Sequence, residues 1–255
     1  MNWQESSGKK YSVSVLTLIA IVFVWLAPLF WKEVEISRGT IAESFENSEL
    51  YQYVYPILEY SYGRLRQGEM PLWNPYQLCG TPLNTDPRIG LFQPLNTVFL
   101  FMPVPQAMAV HSFLCLILMG VGFTLFLRSL GLGYIAAFFG AIAYAFSGAA
   151  AAAMSRPSSA AALAWTPFCL WAARRFVESG SGRTAVLLGV FLALCALSGA
   201  FSWLPVIAAL VLVQIIVEFR SLLSIASNKQ RILSNVGLSF AVGLSLSAVQ
   251  WLPSL

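Results

Sequence analysis

The sequence predicts an all-α integral membrane protein of about seven transmembrane helices, with one long, partly helical extracytoplasmic loop after the first span. Three observations predict this class. The 255-residue chain is 58% hydrophobic and only 10% charged, with a mean hydropathy of +0.71, whereas a soluble domain carries about 45–50% apolar residues. Seven runs of predominantly apolar residues can be picked out. At ~1.5 Å rise per residue, about 20 such residues cross a hydrocarbon core ~30 Å thick. In the short loops that those runs define, finally, Lys and Arg fall almost entirely on one side.

The first run is SVSVLTLIAIVFVWLAPLFW, Ser12 to Trp31. Its length and the lack of a small-residue cleavage site predict a retained anchor, with Pro28 tolerated near its outer end. The others extend from about Gln106 to Leu127, Tyr134 to Met154, Ser158 to Phe176, Thr184 to Ser198, Trp203 to Phe219 and Leu233 to Leu252. Apolarity is nearly continuous through LSGAFSWLP, long enough to span twice, so a helical hairpin turning at Ser198-Gly199 is expected there. The chain thus divides into residues 1–31, a cytoplasmic N-terminus and first span; residues 32–105, the outer loop; and residues 106–255, six further spans.

With the N-terminus inside, Lys9, Lys10, Arg128, Arg174, Arg175, Arg183, Arg220, Lys229 and Arg231 face the cytoplasm, and only Arg156 falls in a short outer loop. The net charge of +4 is mostly this orientation signal, and no nucleic-acid site is read from it. Cys115, Cys169 and Cys195 lie inside predicted spans, leaving Cys79 alone in the outer loop. A single histidine, His111, excludes a multi-histidine metal site and is expected to be a packing residue in the second span.

The acids concentrate between Lys32 and Pro105: Glu33, Glu35, Glu43, Glu46, Glu49, Glu59, Glu69 and Asp86 are eight of the chain's eleven. A connection this long is functional or disordered. The aromatics Tyr51, Tyr53, Tyr55, Tyr60, Tyr62, Trp73, Tyr76 and Phe92 favour an ordered loop resting at headgroup level. In NSELYQYVYPILEYSYGRLRQ, Leu50, Val54, Leu58 and Leu65 with Tyr51, Tyr55 and Tyr62 recur at spacings of three and four. That predicts an amphipathic helix, kinked or started by Pro56 and ended by Gly68. GEMPLWNPYQLCGTPL follows, where Pro71, Pro75 and Pro82 fix φ and Gly68 and Gly80 permit turns, so this segment is expected to hold one shape.

These residues carry a resemblance. SELYQYVYP, LRQGEMPLWNPYQLCGTPL and DPRIGLFQPLN resemble the first outer loop of the YfhO-like family of bacterial polytopic membrane proteins, within the GT-C class of glycosyltransferases. AYAFSG and LAWTPFCLW are similar to its third and fourth spans, and LSGAFSWLP and SAVQWLP to later landmarks. PLWNPY followed by GTP is the most specific part. The chain departs from the family in having Glu49 where aspartate is usual, and in stopping at Leu255 where family members continue through further spans. An N-terminal part of a longer or split protein is therefore expected.

The resemblance implies transfer of a sugar from a polyprenyl-phosphate donor to a surface polymer or glycolipid on the outer face of the bacterial inner membrane. Such chemistry needs a base at headgroup depth and cations for the departing phosphate. Glu49 is the leading base on this reading, and a solvated acid near a helix N-terminus otherwise. Asp86 is a second acid for catalysis or metal binding, or a turn residue before Pro87; Glu69 is a third, or an anchor of the turn after Gly68. Arg88 and Arg156 are candidates to meet the phosphate, although Arg156 also suits snorkelling to headgroups. Trp73, Asn74 and Tyr53 complete the substrate-binding candidates, Trp73 by stacking on a sugar ring.

No cofactor is expected and no acidic pair has a spacing that compels a metal, with a divalent ion left open. Two other readings stand beside the enzyme. One is a lipid-sugar binding or scaffold subunit without catalysis, partnered by a protein supplying further spans. The other is a transporter, disfavoured because the predicted spans carry few charges.

Overall fold

The computed structural model describes residues 50–77, 79–83, 86–222 and 229–252. The first apolar run and Glu49 lie outside the described residues. A π-helical turn at Leu50–Val54 leads into α1, Tyr55–Arg66. Pro56 occupies the first turn of α1, where a missing N–H leaves no bond unmade, so it starts the regular helix. Gly68, at φ +79°, ends it, and the N–H groups of Gly68 and Glu69 donate back to the carbonyls of Leu65 and Arg64. The buried face is Ile57, Leu58, Ser61 and Tyr62; of the predicted stripe, Leu58 and Tyr62 are in it, while Tyr55 and Leu65 lie at its margin.

The rest of the loop folds back on α1. β1 (Trp73–Asn74) pairs antiparallel with β2 (Thr81–Pro82), Trp73 opposite Pro82 and Asn74 opposite Thr81. Two 3-10 turns, Pro87–Ile89 and Pro94–Thr97, then precede the four-residue α2, Val98–Phe101. Arg66 donates to the carbonyls of Phe99 (2.8 Å), Leu100 (3.3 Å) and Met102 (2.7 Å), satisfying acceptors at the end of α2 with a cation where the helix dipole favours one. Leu58, Tyr62, Leu83, Ile89 and Phe99 form a small core of their own against the start of the next helix. Burial pushes the Tyr62 phenol well above its ordinary value, the Asn96 side chain drawing it part of the way back.

Seven helices make the body of the described chain: α3 (Val104–Ser129), α4 (Tyr134–Ala145), α5 (Gly148–Ala153), α6 (Pro157–Ser179), α7 (Gly182–Leu197), α8 (Leu204–Leu222) and α9 (Lys229–Trp251). α6 is the hub, touching α3, α7 and α8; α4 packs on α3 and α9 on α7. Its buried face is rich in alanine, from Ala160 to Ala173, which lets three neighbours approach at once. Near its C-terminal end Arg174 bridges Glu218 of α8 and Glu178 of its own last turn.

The described chain is mostly helical, and each of the six apolar runs from Gln106 to Leu252 is helical. The third is not one helix, however. α4 stops at Ala145, and Ser147 caps a separate α5 by accepting from the Ala150 N–H at 3.3 Å. A hydroxyl able to satisfy the backbone locally ends the helix within an apolar run. The hairpin between α7 and α8 turns where expected, with Gly199 at φ +76°. Among the described residues one helix, α3, is both long and apolar enough to cross a membrane, with a stretch averaging 2.2 in hydropathy.

Pro167 lies inside α6, so the Leu163 carbonyl has no intrahelical donor. Tyr144 of α4 supplies one: its hydroxyl donates to Leu163 O at 2.9 Å, while its ring stacks on Phe123 of α3 with centroids 4.6 Å apart. Tyr144→Phe is expected to destabilise the protein by about 1–3 kcal/mol, the range for a buried acceptor left alone. In a Pro167→Ala background the backbone N–H returns and the same change is expected to do less. Thermal unfolding of the four proteins in a double-mutant cycle reads the difference.

The loop between α1 and α3 is fastened to the α7–α8 hairpin. Gln93, almost fully buried, donates to Leu194 O at 3.0 Å, and Asn96 donates to the carbonyls of Ile89 (3.1 Å) and Gly90 (3.0 Å). Gly90 sits at φ +57°, where a Cβ would come 2.8 Å from Asn96 Nδ2 and 3.2 Å from the Ser198 carbonyl. Gly90→Ala is expected to cost about 1–2 kcal/mol for the left-handed backbone alone, and more for displacing Asn96. A lower melting temperature and new protease cleavage between Gly68 and Gly90 would report it.

Candidate functional site

The quoted loop is shaped by short-range chemistry. Asn74 is buried, and its Oδ1 accepts from the Tyr76 N–H at 3.0 Å, an Asx turn that bends the chain across Pro75. Tyr60 of α1 donates to the Trp73 carbonyl at 2.9 Å and meets the Tyr76 ring edge to face, with centroids 5.7 Å apart. The Leu83 N–H donates to Leu72 O at 2.8 Å. Gly80, at φ +111°, lies against the Trp73 indole, and a Cβ there would come within 2.5 Å of the ring. PLWNPY and GTP are therefore two sides of one clasp.

Beside this clasp is a cavity of about 300 Å³. Ile57 of α1 and Leu83 give it an apolar wall, while Gln77, Thr81, Asp86 and Arg88 give it a polar one. Tyr53, from the π-helical turn, also lines it. Asp86 accepts from Arg88 at both oxygens, from Nε at 3.0 Å and Nη2 at 3.2 Å, and its Oδ1 also accepts from the Arg88 backbone N–H at 3.0 Å. The guanidinium lies 4.1 Å from the centroid of the Tyr53 ring. Such a fork and such a stack both fix the plane of the cation. Asp86 is 14% exposed and Arg88 is 50% exposed, so the carboxylate is the inner partner and the cation the outer one.

The structure thus brings together three of the residues singled out in the sequence, Tyr53, Asp86 and Arg88, with Trp73 and Asn74 framing the adjacent clasp. Glu69 is elsewhere: exposed, it pairs with the equally exposed Arg64 at 2.8 Å, a contact of small energetic weight. Arg156 is exposed at the N-cap of α6 and does not line the cavity. Glu49 immediately precedes the described turn that carries Tyr53. His111 is buried in α3, its ring 5.8 Å from Phe99 and its Nδ1 3.7 Å from Cys115 Sγ, consistent with a packing role.

Gln77, two residues before CGTP, and Thr81, within it, enter the wall through the fold alone, since neither position carries a local signal. Within the cavity wall Asp86 is the one carboxylate among the described residues, already held by Arg88, and no group of three His, Cys, Asp or Glu residues able to hold a metal occurs among the described residues. What the arrangement offers is a fixed, half-exposed cation beside an aromatic face, amide and hydroxyl groups. That suits an anionic or hydroxyl-rich ligand.

No family model matches the chain, and neither a curated protein nor a solved structure is significantly similar to it. The resemblance to the YfhO-like family rests on the quoted motifs alone.

The clasp makes its own prediction. Gly80→Ala is expected to push the Trp73 ring out and open the β1–β2 pair. Hydrogen exchange of a peptide covering Leu72 to Leu83 should then speed up while that of α6 stays unchanged; equal protection in both proteins would remove Trp73 as the reason for glycine.

Proposed function

We propose that the chain is a multi-pass membrane protein of GT-C type, with an N-terminus inside and the loop cavity outside, that handles a polyprenyl-phosphate-linked sugar and transfers the sugar to a cell-surface acceptor. The observation that carries this reading is the Asp86–Arg88–Tyr53 arrangement, an oriented cation in a cavity at the end of a helical bundle. The membrane placement is supported by outward apolar faces: Ile135 is 77% and Phe139 64% exposed on α4, and Val213, Ile216 and Val217 are exposed along α8. Faces of this kind on a water-soluble bundle promote aggregation. The asymmetry of Lys and Arg supports the orientation.

In this reading Arg88 binds the donor phosphate and steadies the charge that grows on it as the glycosidic bond breaks. Asp86 is a positioning residue: its carboxylate holds the guanidinium, and it is not the base. Gln77, Thr81 and the exposed Trp73 indole contact the sugar. Glu49 then takes the proton from the acceptor hydroxyl. The same grip of Asp86 on Arg88, with no second carboxylate among the described wall residues, favours as a second reading a subunit that binds the lipid-linked sugar without turning it over.

Two substitutions separate these readings in proteoliposomes supplied with a radiolabelled polyprenyl-phosphate sugar. Arg88→Ala is expected to weaken binding roughly 10–100-fold, the loss for a hydrogen bond to a charged group, with Arg88→Lys in between. Glu49→Gln is expected to keep binding and lose transfer by about 10²–10⁴-fold, the usual contribution of a positioned base. Full transfer by Glu49→Gln removes Glu49 from the mechanism, whereas binding without transfer in the parent protein selects the binding subunit. Unchanged binding by Arg88→Ala refutes the site.

A further inference from the structure

A second cavity, of about 240 Å³, lies in the bundle between α3, α4, α6 and α8, at the level of the Pro167 break. It is unlike the first in having no polar atom on its open wall. The two hydroxyls that border it are engaged with α6 itself: Tyr144 donates to Leu163 O at 2.9 Å, and Thr166 to Ala162 O at 2.8 Å. Water needs two to four polar partners to occupy a buried space, and an apolar cavity of about 150 Å³ already stays dry and takes benzene. This space is larger, so an apolar guest fits and water does not.

The mouth of the cavity shows where that guest comes from. Val206 and Leu210 of α8 line it and are themselves exposed. With Val213 and Val217 they follow one another at spacings of four, three and four, a single outward stripe of the helix. The cavity therefore opens onto the apolar face that, on the membrane reading above, is bathed in hydrocarbon. Phospholipid acyl chains are the solvent of such a face, and by mass action the commonest chain fills the site.

We infer that the cavity between α3, α4, α6 and α8 is a binding site for one fatty acyl chain of a bilayer phospholipid, entered between Val206 and Leu210. The inference rests on the membrane reading. The bound chain completes the packing around the Pro167 break, where α6 lacks one backbone hydrogen bond and leans on Tyr144. It is separate from the loop cavity and calls for no headgroup contact.

The test uses the full chain in phosphatidylcholine vesicles containing a phosphatidylcholine with a diazirine on one acyl chain; after photolysis, adducts are mapped by peptide mass spectrometry. Adducts are expected on Tyr144 and Leu163 in the cavity wall and on Val213 and Val217 along the stripe. Leu210→Trp, which fills the mouth, is expected to abolish the wall adducts and spare those on the stripe; Val206→Phe, at another exposed position, provides the same reading should the first variant fold poorly. Stripe adducts without wall adducts in the parent protein overturn the proposal and leave the membrane reading standing. Absence of stripe adducts overturns both. Wall adducts that persist in both variants, or that form only with a diazirine polyprenyl phosphate, overturn the acyl-chain assignment.

Discussion

The site depends on how the loop between α1 and α3 is fastened to the bundle. A loop with few regular elements has little of its own to hold it, since β1 and β2 are two residues each and α2 is a single turn. What fixes it is a set of side-chain bonds to backbone carbonyls that the helices cannot satisfy themselves. Gln93 reaches the Leu194 carbonyl near the end of α7, and Gly90 lies against the Ser198 carbonyl, which a Cβ there would meet at 3.2 Å. Arg66 closes the other side on the end of α2. Helix ends always leave acceptors open, and this protein meets several of them with residues from the loop. Position of the loop, and with it the cavity at Arg88, follows from that.

The same economy recurs within the bundle. Pro167 removes a donor from the most heavily packed helix, and a tyrosine of another helix replaces it. Ser147 ends α4 and starts α5 in the middle of an apolar run. Asn235 of α9 donates to the carbonyl of Gly180, the left-handed residue that terminates α6. Each bond satisfies a backbone group, and those of Tyr144 and Asn235 also join two helices, so polar residues that look incidental in an apolar sequence tie the bundle together.

At the loop cavity the electrostatics are local. Asp86 and Arg88 are two residues apart, and the carboxylate accepts from both the backbone and the side chain of the arginine. This makes the pair a self-contained unit, oriented by a turn and completed by Tyr53 from an element more than 30 positions earlier. A free carboxylate would be a candidate base; a carboxylate held on both oxygens instead orients its partner. Charge that stays paired and half exposed also keeps the desolvation of the ion pair small.

The sequence by itself determined the helical class, the six runs from Gln106 onward and the hairpin at Ser198-Gly199, because apolar runs and glycine turns act over a few residues. It also marked Tyr53, Asp86 and Arg88 as candidates, through the chemistry that the resemblance implies. Tertiary structure decided the rest. It separated Glu69 and Arg156 from the cavity, broke the third run at Ser147, brought Gln77 and Thr81 into the wall, and set Gln93 and Arg66 as fasteners. The physical reason is range: a run of hydrophobic residues declares its own helix, whereas a hydrogen bond from Gln93 to a carbonyl about a hundred positions away has no trace in local pattern.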